Sequence, residues 1–595
     1  MAAFKFTSFF SRTPAPDRRF PPSTYRPLNQ TDTDDDNDDA PHHHGAATGE
    51  PLDLAASRGA AGASAPRDAA AMMLIKLGHD PSHRIPISSS TNDRILRRID
   101  LALLPLMLTV YFLHALDKAT LSYASIFGLI EDTKLEGDQF SWLGSIVYVA
   151  QLIFQLPVAW ALVKLPVGKF TSLMALGWGV TLTGMAGAKR FPHLLGARFL
   201  LGSFETSIGP SFVAITQMWW RRREQTLRIG SWYCMNGLSW VLGSLITYAL
   251  ASIHSSLKPY QVLDTFASAM IATKTLQIIF LFFGLVTILF ASIMFFYMPD
   301  SPTEAKFLSD EDKVIAIERL RDNQMGVMSR EWRYSQFYET LRDPKTWLWT
   351  AMIFCASVPS NGIGIFGPLI IKSFVSDPFQ TTLFNIPVGF AHMIAVTGSA
   401  YLSMKWKLKG PVLVLLCIPP IIGLSILLSF GHSSENKGVL LSGFFCVCTF
   451  TGITPLIYSW SSQNTAGDTK KKSTSALIFI GSSAGNIIGP LLFTPGEHPA
   501  YTRGLRANIA FFSMVILLVI VTSVYIRALN RSHSQRRVAL GKNAVVRDLS
   551  LETSESVDVF DHLHTGDEGG GDDESGSKAF SDATDLENED FVYVF

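Results

Sequence analysis

Two short stretches place ionisable side chains among residues as apolar as lipid: HALDK at 114–118 and RFLLGSFE at 198–205. On a helix turning 100° per residue, Tyr111, His114, Lys118, Ser122 and Ser125 share an arc of roughly 80°, with Asp117 at its edge beside His114. A charge at the centre of a spanning helix costs about 2.5–3.5 kcal/mol, so each of these must face a partner or a watery cavity. A Lys118 facing a cavity attracts an anion, whereas an Asp and a Lys facing other helices only brace the bundle. In the second stretch Arg198, Gly202, Glu205 and Gly209 share a face, and Pro210 can kink the helix. Arg198 and Glu205 stand about 10 Å apart, two turns, too far for a tight pair. Burial and a nearby cation act on such a carboxyl in opposite senses. If opening the cavity changes that balance, Glu205 becomes a proton carrier; if not, it belongs to a static interhelical pair.

Further polar faces recur in the apolar runs. Tyr148 and Gln151 lie with Ser141 and Gln155, Asn236 with Tyr233, Trp240 and Ser244, Asn361 beside Gly362 and Gly364, and Asn486 near Ser482 in IGSSAGNIIGP. One such set is packing glue between helices; several converging on one axis make a polar cavity. No GxxxxGK[ST], HExxH or paired CxxC motif appears, so the sequence predicts no enzyme, no ATP site, no metal and no cofactor. These are groups that hold and release a solute.

The elements that position them follow from composition. Of 595 residues, 48% are hydrophobic and 17% charged, against about 25% charged in an ordinary soluble domain. Apolar runs near 99–124, 139–162, 170–188, 193–217, 228–252 and 269–298, then 347–374, 381–404, 411–431, 438–462, 473–494 and 506–529, predict about twelve spans. The expected fold is an all-α membrane protein of two six-helix lobes. Lys+Arg and Asp+Glu balance at 50 each, which gives no reason to expect nucleic acid. The five cysteines all fall in apolar runs and read as small packing residues.

Residues 1–95 are rich in Pro, Asp, Ala and Ser and predict a disordered tail; His42–His44 reads as a solvated run rather than a metal site. The first apolar run starts near Leu101, so no cleavable signal peptide is expected. Residues 96–298 form the first lobe and 347–532 the second. Between them, 299–346 is a polar loop in which Ser309 and Asp312 predict a helix start. Residues 533–595, ending in an acidic low-complexity run, predict a second disordered tail. Lys and Arg gather in alternate loops (Arg94, Arg97 and Arg98; Lys164 and Lys169; Arg221–Arg223; Lys405, Lys407 and Lys409; Lys470–Lys472), which places both tails in the cytoplasm. Equivalent basic loops, KLPVGK and KWKLKG, mark a parallel repeat with a site between the lobes.

From about 95 to 530 the chain resembles fungal major facilitator superfamily transporters of the allantoate permease family, in the anion:cation symporter group. The resemblance rests on LDKATLSYASIFGL at 116, EDTKLEGDQFSWLGSIVY at 131, RFLLGSFETSIGPSF at 198, MPDSPTEAKFLSDEDK at 298, NTAGDTKKKSTSALIFIGSSAGNIIGPLLF at 464 and HPAYTRG at 498. It implies proton-coupled uptake of small carboxylated solutes, driven by the proton gradient through alternating access. Asp117 and Lys118 match the group's Asp-Arg pair in span one, with Lys for Arg as in the fungal branch. Arg198 and Glu205 match residues linked to proton coupling and gating. KLPVGK departs from the group's Asp-Arg-Gly loop, and His114 stands where Asn or Phe is common. Family substrates include allantoate and ureido acids, nicotinate, pantothenate, biotin, small peptides and sulfur amino acids.

The combined reading assigns substrate binding to Lys118, His114, Tyr148, Gln151, Asn236, Asn361 and Asn486, and proton coupling to Asp117, Glu205 and Arg198. The partners expected are the lipid bilayer, a small organic anion and protons, in a plasma-membrane protein working as a monomer. Two rivals remain: an exporter that expels an acidic metabolite by proton antiport, and a nutrient sensor that signals through its tails.

Overall fold

A computed structural model describes residues 68–81, 84–126, 139–188, 190–252, 275–372, 378–430, 436–493, 501–546, 548–552 and 579–595. The HHH run at 42–44 and the acidic stretch 566–578 lie outside the described residues, as do the side chains of Ser122, Ser125 and Ser141. No strand occurs among the described residues. The helices are α1 Ala69–Lys76, α2 Ser89–Ile126, α3 Gln139–Lys164, α4 Val167–Met185, α5 Phe191–Glu205, α6 Ile208–Trp219, α7 Arg222–Ser252 and α8 Thr275–Tyr297. They continue as α9 Asp310–Glu318, α10 Tyr334–Arg342, α11 Pro344–Lys372, α12 Pro378–Trp406, α13 Gly410–Ser429, α14 Lys437–Val447, α15 Ile453–Gln463, α16 Asp468–Leu491 and α17 Thr502–Ala539. Seven segments among the described residues are long and apolar enough to cross a bilayer, with α14 and α15 counted as one.

Two breaks shape the centre of the bundle. Pro210 has no amide hydrogen to offer the Thr206 carbonyl, so the run at 193–217 splits into α5 and α6 and leaves Glu205 as the last residue of α5. Between α14 and α15 the chain narrows to a 3₁₀ turn over Cys448–Gly452.

Helices α2–α8 and α11–α17 form two halves joined by the pairs α3/α16 and α7/α12. At α7/α12 the contact is backbone on backbone: a Cβ built on Gly237 would lie 2.6 Å from the Gly389 carbonyl, and one on Gly389 2.6 Å from the Gly237 carbonyl. Within the second half, Gly481, Gly485 and Gly489 recur every fourth residue and press α16 on α11, where a Cβ on Gly485 would stand 2.6 Å from the Phe354 carbonyl. Such small-residue ridges let helices approach where lipid supplies no hydrophobic drive.

In the polar connection, Ser309 caps α9 by accepting from the Asp312 amide at 3.2 Å. Within both predicted tails, some of the described residues are folded. AAAMMLIK has strong intrinsic helix propensity, and Asp68 caps α1 at the Ala70 amide (2.8 Å) while accepting from Val327 of the connection (2.6 Å). α2 likewise begins at Ser89, inside the predicted tail. At the other end α17 runs to Ala539, and residues 579–595 pack on the bundle with Phe580, Phe591, Tyr593 and Val594 buried. A composition rule counts the acids of DLENED as solvated; here Asp585 is buried against Lys345 and Lys470.

Candidate functional site

Where the two halves face each other, a cavity of about 190 Å³ is lined from both sides. Tyr111, His114 and Lys118 reach it from α2, Tyr148, Gln151 and Gln155 from α3, Glu205 from the end of α5, and Trp232, Tyr233 and Asn236 from α7. The second half contributes Ser357, Ser360 and Asn361 of α11, Thr454 and Tyr458 of α15, and Phe479, Ser482, Ser483 and Asn486 of α16.

Glu205 is the electrostatic centre. Its carboxylate is buried at the C-terminal end of α5, where the helix dipole opposes negative charge. Two basic side chains of α2 compensate: His114 Nε2 lies 2.6 Å from Oε1, and Lys118 Nζ lies 3.5 Å from the same oxygen. The i, i+4 spacing of these two residues is what sets both over one carboxylate. Gln151 Nε2 donates to Glu205 Oε2 at 3.5 Å, and Ser483 Oγ of the other half donates to Gln151 Oε1 at 3.3 Å. A polar chain thus runs from the acid across to the second half. Lys118 differs from its neighbours in keeping 41% of its side chain exposed, against 1% for Glu205. It retains donor capacity for a further anion.

Around this centre the walls are aromatic and amide. Tyr111 packs on Trp232 with centroids 4.8 Å apart, and Tyr458 stacks on Phe479 at 4.8 Å. Asn361 Nδ2 donates to the Asn486 carbonyl at 2.6 Å, and Ser357 and Ser482 hydroxyls sit 3.0 Å apart, both across the α11/α16 glycine ridge. Asn236 Nδ2 donates to the Tyr233 carbonyl at 3.0 Å. The buried Nδ1 of His114 and Nε2 of Gln155 have no hydrogen-bond partner among the described residues.

Of the residues singled out from the sequence, His114, Lys118, Tyr148, Gln151, Asn236, Asn361, Asn486 and Glu205 line the cavity. Asp117 and Arg198 do not. Asp117 turns behind α2, where its Oδ2 accepts from Trp178 Nε1 of α4 at 2.8 Å. Arg198 Nε donates to the Leu143 carbonyl of α3 at 2.8 Å, tying α5 to α3. Trp232, Ser357, Ser360, Thr454, Tyr458 and Phe479 also line the cavity, and nothing in the polar-face pattern of the sequence marks them. The TxxxY spacing of Thr454 and Tyr458, one helical turn, is the one signal that could have found two of them.

A family model described as Major Facilitator Superfamily matches residues 107–490. An uncharacterized transporter of Schizosaccharomyces pombe is 32% identical over 73% of this chain and 79% of its own length. From Saccharomyces cerevisiae, the Allantoate permease is 27% identical over 84% of this chain and 86% of its own, and the Thiamine pathway transporter is 28% identical over 85% and 87%. Among solved structures, the crystal structure of the E. coli fucose:proton symporter superposes with a TM-score of 0.50 at 13% identity, covering 70% of this chain and 98% of that one, a likeness of fold alone. The helical architecture, the inter-half cavity and these matches agree: the chain belongs to the Major Facilitator Superfamily, is related to the yeast allantoate permease, and is a multi-pass membrane transporter rather than an enzyme.

Proposed function

We propose that the chain imports a small carboxylated organic solute together with protons, by alternating access of two six-helix lobes in the plasma membrane. The observation that carries this reading is the shared cation: Lys118 touches Glu205 at 3.5 Å while keeping 41% of its side chain open to the cavity. A solute carboxylate arriving there competes with Glu205 for the same ammonium, a compact point charge that suits an anion without bidentate geometry. Losing part of its counter-charge at Oε1, the buried Glu205 takes a proton, and Gln151 changes its bond to Oε2 of the same carboxyl. Through Ser483 the change reaches the other half. Release on the far side reverses the exchange: the anion leaves, Lys118 returns to Glu205, and the proton departs.

On this reading Lys118 and His114 hold the carboxylate, Tyr148, Gln151, Asn236, Asn361 and Asn486 set shape and hydrogen-bond specificity, and Glu205 carries the proton. Asp117 and Arg198 act at one remove, by fixing α2 against α4 and α5 against α3. The further proposals are twelve spans, both tails in the cytoplasm with the basic loops, monomeric function within the lipid bilayer, and no cofactor beyond the proton gradient.

Uptake of labelled allantoate, nicotinate, pantothenate, biotin and a small acidic peptide at external pH 5 and 7.5, with and without a protonophore, tests this. Acid-stimulated, protonophore-sensitive accumulation of one of them is expected. In Glu205→Gln the same solute should still exchange across the membrane without accumulating. Accumulation by Glu205→Gln equal to the parent would sink the proton role, and uptake of none of the panel by protein at the cell surface would favour export.

A further inference from the structure

At the end of the bundle that carries the basic loops, the two halves are sewn together directly. Gln217 of α6 donates to the Ser462 carbonyl of α15 at 2.8 Å, Gln463 donates to the Arg222 carbonyl at 2.6 Å, and the hydroxyls of Thr226 and Ser459 lie 2.8 Å apart. Residues 579–595 lie against this seam. On the second half, Asn464 grips the Val594 backbone from both sides, donating to its carbonyl at 3.0 Å and accepting from its amide at 2.7 Å. Asp585 is buried between Lys345 and Lys470. Toward the first half, Arg222 opens α7, donates to the Val592 carbonyl at 2.9 Å and sets its guanidinium 4.2 Å from the centre of the Phe591 ring. One short segment is therefore bonded to both sides of a seam that alternating access must open.

We propose that residues 579–595 are a latch, anchored on the second-half helices, that reaches Arg222 and holds the bundle closed at this end. Inward rocking requires the Arg222 contacts to break while the Asn464 and Asp585 anchors stay made. The seam bonds alone are neutral and few, and each is worth less than a charge-assisted bond plus a cation–π contact. Occupancy of the latch then sets how often the cavity opens to this side, so it acts on transport rate without touching the solute. The latch rests on the transporter's access cycle and on no choice of solute or coupling ion.

The experiment is thiol labelling of full-length protein in lipid nanodiscs, where both faces meet the reagent. Ser462→Cys places a thiol in the buried seam, and Thr287→Cys, buried on α8 away from it, serves as a control. Deletion of 579–595 is expected to raise the Ser462→Cys labelling rate about tenfold, the scale of one lost charge-assisted contact, with Thr287→Cys unchanged. Phe591→Ala leaves the Asn464 and Asp585 anchors in place and should raise it in the same direction by about threefold. Should the deleted protein fail to fold, Phe591→Ala decides alone. Labelling at the parent rate, or an equal rise at Thr287→Cys, overturns the latch.

Discussion

The buried charges at the basic-loop end and those in the cavity are satisfied to different degrees. At the basic-loop end, Lys470 Nζ sits 2.8 Å from Glu339, 2.9 Å from Asp343 and 2.9 Å from Asp585, with 1% of its side chain exposed. Burial alone would raise the Asp585 carboxyl, but the Lys345 and Lys470 ammoniums outweigh it and hold that carboxyl well below the usual range. In the cavity, Lys118 makes one longer contact, 3.5 Å, and stays open to solvent. A lysine surrounded by carboxylates is committed to cohesion. A lysine with spare donors and an aqueous approach is available for exchange.

Matched lysine substitutions sharpen that contrast most. Lys470→Ala leaves Glu339, Asp343 and Asp585 with Lys345 to share between the two aspartates and should cost about 3–5 kcal/mol, read as a large fall in thermal unfolding temperature in detergent. Lys118→Ala should lower that temperature less, because Glu205 keeps His114 at 2.6 Å and can take up a proton, and yet reduce solute binding to background. Equal stability losses in the two variants would erase the distinction. Next in size is Trp178→Phe, which strips the indole donor from buried Asp117 and should cost about 1–3 kcal/mol while leaving apparent solute affinity alone. A change in affinity without loss of stability would bring Asp117 back into the binding site.

The smallest effect concerns α1. Burial pushes the Asp68 carboxyl up from 3.8 to about 7, against the pull of its amide donors and of Lys471. Docked, this group binds its proton more tightly than when released. Its contribution to docking is complete below about pH 3.8 and is lost as pH rises through 7. Hydrogen exchange in Ala69–Lys76 should therefore be faster at pH 8 than at pH 6 after correction for intrinsic rates, and Asp68→Asn should flatten the difference.

Much of the cavity was legible because a charge in an apolar run announces itself: His114, Lys118 and Glu205 needed only helical geometry. Helical geometry also misled. Asp117 lies one residue from Lys118, and which of two adjacent polar residues faces the cavity depends on Trp178, whose indole is buried on α4, far away in the sequence. Tyr458 and Phe479 were hidden for the opposite reason, being aromatic residues in runs where aromatics are ordinary. The packing of residues 579–595 was beyond any local reading. Lys345 and Asp585 are 240 residues apart, and no pattern within either stretch names the other.

The backbone contact of Gly237 with Gly389 bears on how movement at one end is felt at the other. Two rods that touch through side chains can slide, because methyl groups hop between rotamers and absorb displacement. Two that touch carbonyl to Cα have no such padding, and they turn about the contact as a beam turns on its bearing. Seven residues toward the basic-loop end, Gly230 meets Ala400 with a built Cβ at 2.8 Å, about 10 Å of lever arm away. A bulky side chain at position 237 or 389 would thus act less as a local defect than as a shim, shifting the balance point of the whole machine.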